Sequence, residues 1–210
     1  AHGGFSRTIL PEELISGVRI ARGTERPCWL VGFNSGFDAL VMVGQHSIGY
    51  TPRGCLAHTM GRGEKYRING IEVGEMQIAA YLAGQLGVPC VFVSGDVHAC
   101  RQAEASVPGI VQAPVKEGLS TTSAIHMAPV DARNLIMEQI QKAVAIVDKI
   151  EPLRINGPVT LERWREDAGN SEGGPGSERV DANTVRWKGK HFWQVFHLAF
   201  YGKPYFPMPL

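Results

Sequence analysis

The chain has 210 residues, 44% hydrophobic and 20% charged, with 21 Lys and Arg against 20 Asp and Glu. That is enough apolar material for one substantial core or two small ones. The near-even charge gives no electrostatic case for nucleic acid or an anionic membrane surface as the main partner. No run reaches the ~18 apolar residues of a membrane span, and no basic, then apolar, leader opens the sequence. The expectation is a soluble, cytoplasmic protein acting on small, weakly charged substrates. Cys28, Cys55, Cys90 and Cys100 show no CxxC pairing and read as reduced thiols.

The run FDALVMVG (37–44) is β-branched, apolar and stopped by glycine, which predicts a strand buried on both faces, with His46 just past its carboxyl end. A loop rich in glycine, GQHSIGYTPRGCLAHTMG (44–61), carries His58. Asn69-Gly70 between alternating segments predicts a hairpin. From Glu75 the period becomes helical. Met76, Ala79, Ala80 and Ala83 form one row and Ile78, Leu82 and Leu86 a neighbouring one, with Gly84 and Gly87 closing the helix. VPCVFVSGD (88–96) predicts a second buried strand ending at Asp96, and VQAPVKEG (111–118) a weaker third with Lys116 at its end. Pro129 to about Ile150 reads as a long helix whose apolar face is Leu135, Ile136, Ile140, Ala143, Val144 and Val147. GPVTLERW then predicts a strand, 166–178 a polar loop, NTVRW a strand and GKHFWQVFHLAF a closing helix before a Pro-rich tail.

Strands alternating with helices predict an α/β fold with a mainly parallel sheet flanked by helices. The division read from the pattern is an α/β core over 1–127 and a smaller C-terminal α+β part over 128–210, made of the long helix, strands and closing helix. In such sheets ligands gather beyond the carboxyl ends of the strands, the edge that His46, Asp96 and Lys116 would share.

His2 in AHGGFSR, His46 in VGQHSIG, His58 in CLAHTMG and Glu75 in IEVGEMQ each stand beside glycine or small residues that let a ligand approach. Imidazole with carboxylate suits zinc, and a free histidine suits general acid–base work. Plainer readings stand beside these. His46 and His58 would serve as hydrogen-bonded structural residues, Glu75 as a first-turn carboxylate favoured by the helix dipole, Asp96 as a cap and Lys116 as a solvated strand end. His98, His126, His191 and His197 lack the glycine-rich setting. Cys55 with His58 raises the idea of a thiol nucleophile and its base, without an oriented third group.

GQHSIGYTPRGCLAHTM, then INGIEVGEMQIAAYLAGQLGVPCVFVSGD, then APVKEG, resemble the zinc-dependent D-aminopeptidases of the DppA type, peptidase family M55. The pattern is G-x-H-x-x-x-x-x-P-G-x-x-x-H, an I-N-x-x-x-x-G-E helix start, a G-D after a strand and a later V-K. It departs here at Arg53, between Pro52 and Gly54. The resemblance runs from Ala1 to about Ile150 and more loosely to the final helix. It implies that His2, His46 and Glu75 ligate a pair of zinc ions, that His58 is catalytic without being a ligand, and that Asp96 and Lys116 serve behind the ligands or at the substrate. It further implies a doughnut-shaped decamer that removes N-terminal D-amino acids, D-alanine foremost, from short peptides. The family's N-terminal strand and helix, with an Asp-x-Glu carboxylate pair, do not appear ahead of His2, so a missing or separate upstream segment is expected to supply them. Two other functions fit the residues: a silent assembly subunit that uses the aromatic final helix and Pro-rich tail as contact surface, and an amidohydrolase acting on a non-peptide amide.

Overall fold

The computed structural model describes residues 9–21, 27–167 and 173–203. His2, residues 168–172 of the polar loop, and 204–210 of the Pro-rich tail lie outside the described residues. One sheet has the order β1-β4-β5-β6, formed by β1 (Leu40–Gln45), β4 (Cys90–Asp96), β5 (Val111–Ser120) and β6 (Ser123–His126). β1 and β5 flank β4 in parallel, and β6 returns antiparallel to β5. The other sheet, β3-β2-β7-β9-β8, is antiparallel throughout and contains β2 (Glu64–Ile68), β3 (Ile71–Val73), β7 (Val159–Arg165), β8 (Ser177–Arg179) and β9 (Thr184–Gly189). The fold is α/β, with parallel strands flanked by helices. The antiparallel sheet draws strands from both sides of residue 127, and helix α3 (Pro129–Ala145) packs on the core of the first sheet, so the two sheets do not divide the chain there.

Helix α1 (Glu75–Gly84) lies between the two cores. Every residue from Met76 to Gly84 except Tyr81 is buried. Ile78 and Leu82 pack with Tyr66, Leu161, Trp187 and the closing helix α4 (Phe192–Tyr201), while Met76 and Ala80 pack with Val91, Phe92 and Ala103 under the parallel strands. A helix contacted on two sides must be apolar around most of its circumference, which explains the two neighbouring apolar rows in its sequence. Trp193 Nε1 of α4 donates to the Leu82 carbonyl at 2.8 Å, so a polar atom deep in the core has its partner.

Asn69 (φ 49°) and Gly70 (φ 83°) make the left-handed two-residue turn that joins β2 to β3. β4 is buried along its whole length. β1 departs from expectation: Val41 and Val43 are exposed, because β1 is the edge strand of its sheet among the described residues and one face has no layer over it. β5 runs on to Ser120 before folding back, so Lys116 stands in mid-strand opposite Asp96, not at a strand end. Val144 of α3 faces outward, while Ala143 is buried. The closing helix packs into the core, with Phe192, Trp193, Val195, Phe196 and His197 all buried. No helix among the described residues is long and apolar enough to cross a membrane.

Candidate metal centre

The carboxyl edge of the parallel strands carries the site. β1 ends at Gln45, paired with Gly95, so His46 leaves the sheet beside the end of β4. Gly95 has φ +145°, and a Cβ there would stand 2.0 Å from the Gln45 carbonyl oxygen, so a side chain at 95 would push the two strands apart just before His46. Glu75 is the first residue of α1, and its side chain reaches back over the loop that joins the two histidines.

His46, His58 and Glu75 bring one ligand atom each to within 4.8 Å of one another. His46 Nε2 lies 3.7 Å from Glu75 Oε2, and His58 Nε2 lies 3.7 Å from Glu75 Oε1. The two imidazoles stack with centroids 4.0 Å apart and planes 20° from parallel. Each ring is held from behind: His46 Nδ1 donates to the Ser47 carbonyl at 3.1 Å, and His58 Nδ1 donates to the Leu56 carbonyl. With Nδ1 so engaged, each Nε2 faces a Glu75 carboxylate oxygen at 3.7 Å. Acceptors facing acceptors repel unless a proton or a cation lies between them. Ligand atoms bonded to one tetrahedral zinc at about 2.0–2.1 Å stand roughly 3.4 Å apart, close to the spacing seen. His46 and Glu75 therefore fit a zinc-type cation, with the His58 imidazole stacked beside them.

Burial disfavours the charge on both groups, but the interaction with Glu75 and the Ser47 carbonyl outweighs it for His46, whose pKa is raised. Burial likewise opposes the Glu75 carboxylate, yet His46, the Met60 N–H and the His58 charge hold its pKa below the ordinary carboxylate range. The Lys116 ammonium opposes the charge on His46.

Asp96 is fully buried and reaches the site through backbone. It caps helix α2 (Val97–Ser106) by accepting from His98 N at 3.1 Å, and it accepts from Cys55 N at 2.7 Å and Gly118 N at 3.4 Å. One carboxylate thereby ties the His58 loop to a strand and a helix. Gly118 makes this possible, since a Cβ there would stand 2.2 Å from the Arg53 carbonyl and 2.5 Å from Cys55 N. Cys55 is buried beneath the loop.

Gln102 of α2 was not singled out by the sequence. It accepts from Ile48 N at 2.9 Å and donates to Thr51 Oγ1 at 2.9 Å, fixing the other half of the loop. Nothing in a polar helix residue announces such a role. The loop's backbone was equally hidden: Tyr50, Arg53, Leu56 and Met60 all have positive φ. A cavity of about 830 Å³ opens beside His58, bounded by this loop, the β5–β6 turn and the start of β2. Glu64 on its wall is matched by Arg165 at 2.7 Å and the Tyr66 hydroxyl at 2.7 Å, which gives that carboxylate a structural employment.

The model of the M55 peptidase family, described as D-aminopeptidase, matches residues 1–200. The chain belongs to that family. A D-aminopeptidase of Bacillus subtilis (strain 168) is 28% identical over 194 residues, which span 90% of this chain and 70% of the relative. Among solved structures, the Zn-dependent D-aminopeptidase DppA from Bacillus subtilis, a self-compartmentalizing protease, superposes with a TM-score of 0.82 at 28% identity, covering 87% of this chain and 69% of that one.

Proposed function

We propose that this M55 chain is a zinc-dependent aminopeptidase that releases N-terminal residues, D-alanine foremost, from short peptides. The observation that carries the reading is the meeting of His46, His58 and Glu75 within 4.8 Å at the carboxyl edge of the parallel strands. His46 and Glu75 hold metal, with His2 as a further ligand. A second ion beside the first completes the site. When bound, zinc would supply Lewis-acid polarisation of the scissile carbonyl and lower the pKa of a bound water to about 7.

The chain's own residues do the rest. His58, held by the Leu56 carbonyl at Nδ1, takes a proton from the attacking water at Nε2 and returns it to the departing amine. Lys116 and Asp96 act from behind, the first through its charge at His46 and the second by fixing the loop. The enzyme works in the cytoplasm as a homo-oligomer, ten copies by analogy with its family, a state that light scattering would measure.

The test separates the two histidines. His46→Ala should lose zinc and turnover of D-alanyl-D-alanine together. His58→Ala should keep most of the zinc and lose at least a hundredfold in kcat, the scale of a general acid–base group. Equal zinc loss in both variants would overturn the division of roles. Absence of D-alanine release by the zinc-loaded wild type would overturn the reading itself.

A further inference from the structure

Five non-glycine residues among those described have left-handed backbone, and four of them, Tyr50, Arg53, Leu56 and Met60, fall between His46 and Gly61. The fifth, Asn69, serves the β2–β3 turn. Residues with a Cβ avoid this conformation, and a cluster of them persists only where the surroundings hold it and the side chains so placed have a use. The surroundings do hold it, since Asp96 grips Cys55 N, the Thr121 carbonyl accepts from Leu56 N at 2.9 Å, and Glu75 Oε1 accepts from Met60 N at 2.9 Å. All four side chains line the cavity beside His58.

The cavity's position says which part of a peptide it receives. It is lined by His58 but not by His46 or Glu75. The group that returns a proton to the departing amine faces the leaving side of the scissile bond, so the residue after that bond passes His58 and enters the cavity. Its apolar surface comes from Leu56 and Leu119, 43% and 42% exposed, with Met60 and Ala57 beside them. Leu56 is also the residue whose carbonyl orients His58, which fixes its side chain relative to the proton donor.

We propose that Leu56, with Leu119 also lining the cavity, determines specificity on the leaving side, selecting short peptides whose second residue has an apolar side chain. This rests on the aminopeptidase reading above. Asparagine tolerates left-handed backbone and is close to leucine in size, so Leu56→Asn changes the polarity of the wall and leaves the loop's conformation in place.

The experiment compares kcat/KM of the zinc-loaded full chain for D-alanyl-D-leucine and D-alanyl-D-serine. The wild type should favour the leucine peptide, and Leu56→Asn should lower that ratio about tenfold, the scale of a few methylenes in an apolar pocket. Zinc content and unfolding temperature should match the wild type. Leu119→Ser should lower the ratio in the same direction. A ratio that neither variant moves, with both peptides hydrolysed, overturns the inference alone. Hydrolysis of neither peptide by the zinc-loaded wild type overturns the functional reading and the inference with it.

Discussion

Helix α1 and the loop from His46 to Gly61 end at the same carboxylate, yet different forces hold them. The helix has ordinary backbone and is fixed by burial on two sides, with Ile78 and Leu82 in one core and Met76 and Ala80 in the other. The loop contributes little to either core, and its backbone is left-handed at four residues that disfavour it, at a cost of about 1–3 kcal/mol each. What keeps it in place is a set of directed hydrogen bonds that Asp96, Gln102, Thr59 and Glu75 accept from its backbone N–H groups. The comparison teaches that the two halves of one site should fail differently. Removing apolar volume should weaken the fold and leave the geometry of the surviving molecules intact, whereas removing a polar grip should release strain and disperse the site.

Asp96→Ala should have the largest effect. It leaves three backbone N–H groups, two of them in buried hydrogen bonds, without their acceptor, at about 1–3 kcal/mol apiece. A loss of about 4 kcal/mol in chemical denaturation is expected, together with a fall in kcat per folded molecule, because Cys55 no longer ties the His58 loop to β5. Leu82→Ala should cost slightly less, about 3 kcal/mol, from lost burial and the cavity left in α1's packing. Its kcat at a temperature where the variant is folded should match the wild type. If Asp96→Ala lost stability while keeping kcat, or Leu82→Ala lost kcat in proportion, the contrast between the two regions would not stand.

The same contrast decides what the sequence could show. α1, β4 and α3 are legible because apolar periodicity and capping residues are local, and a strand buried on both faces reads as an unbroken apolar run. β1 has such a run too, but burial also depends on what lies over the strand, and Val41 and Val43 have nothing over them among the described residues. The antiparallel sheet escapes a local reading because β2 pairs with β7 about a hundred positions away. At the site, His46 and Glu75 are legible from glycine-rich settings at a strand end and a helix start. Gln102 and the left-handed residues are not, since a hydrogen bond across 54 positions and a positive φ at leucine leave no mark on composition or spacing.

The smallest effect sharpens the comparison through pH. The helix side of the molecule contains a titratable group of its own, His197 of α4, fully buried and stacked between Trp193 and Tyr201 with centroids 5.7 and 4.7 Å away. Burial disfavours its protonated form and holds its pKa down to about 4 against an ordinary 6.5. A histidine depressed in the folded state contributes no penalty above pH 6.5. As pH falls from 6.5 towards 4 the unfolded chain takes up a proton that the folded one refuses, so stability is lost across that window, by about 2 kcal/mol at pH 5. Denaturation of the wild type and of His197→Phe at pH 7 and pH 5 isolates the contribution, because every other carboxylate and histidine titrates in both. The drop in stability between the two pH values should be smaller in the phenylalanine variant by that amount. An equal drop would place the acid sensitivity elsewhere, among the groups at the loop and the metal centre, and would reverse the assignment of which half of the molecule yields first to acid.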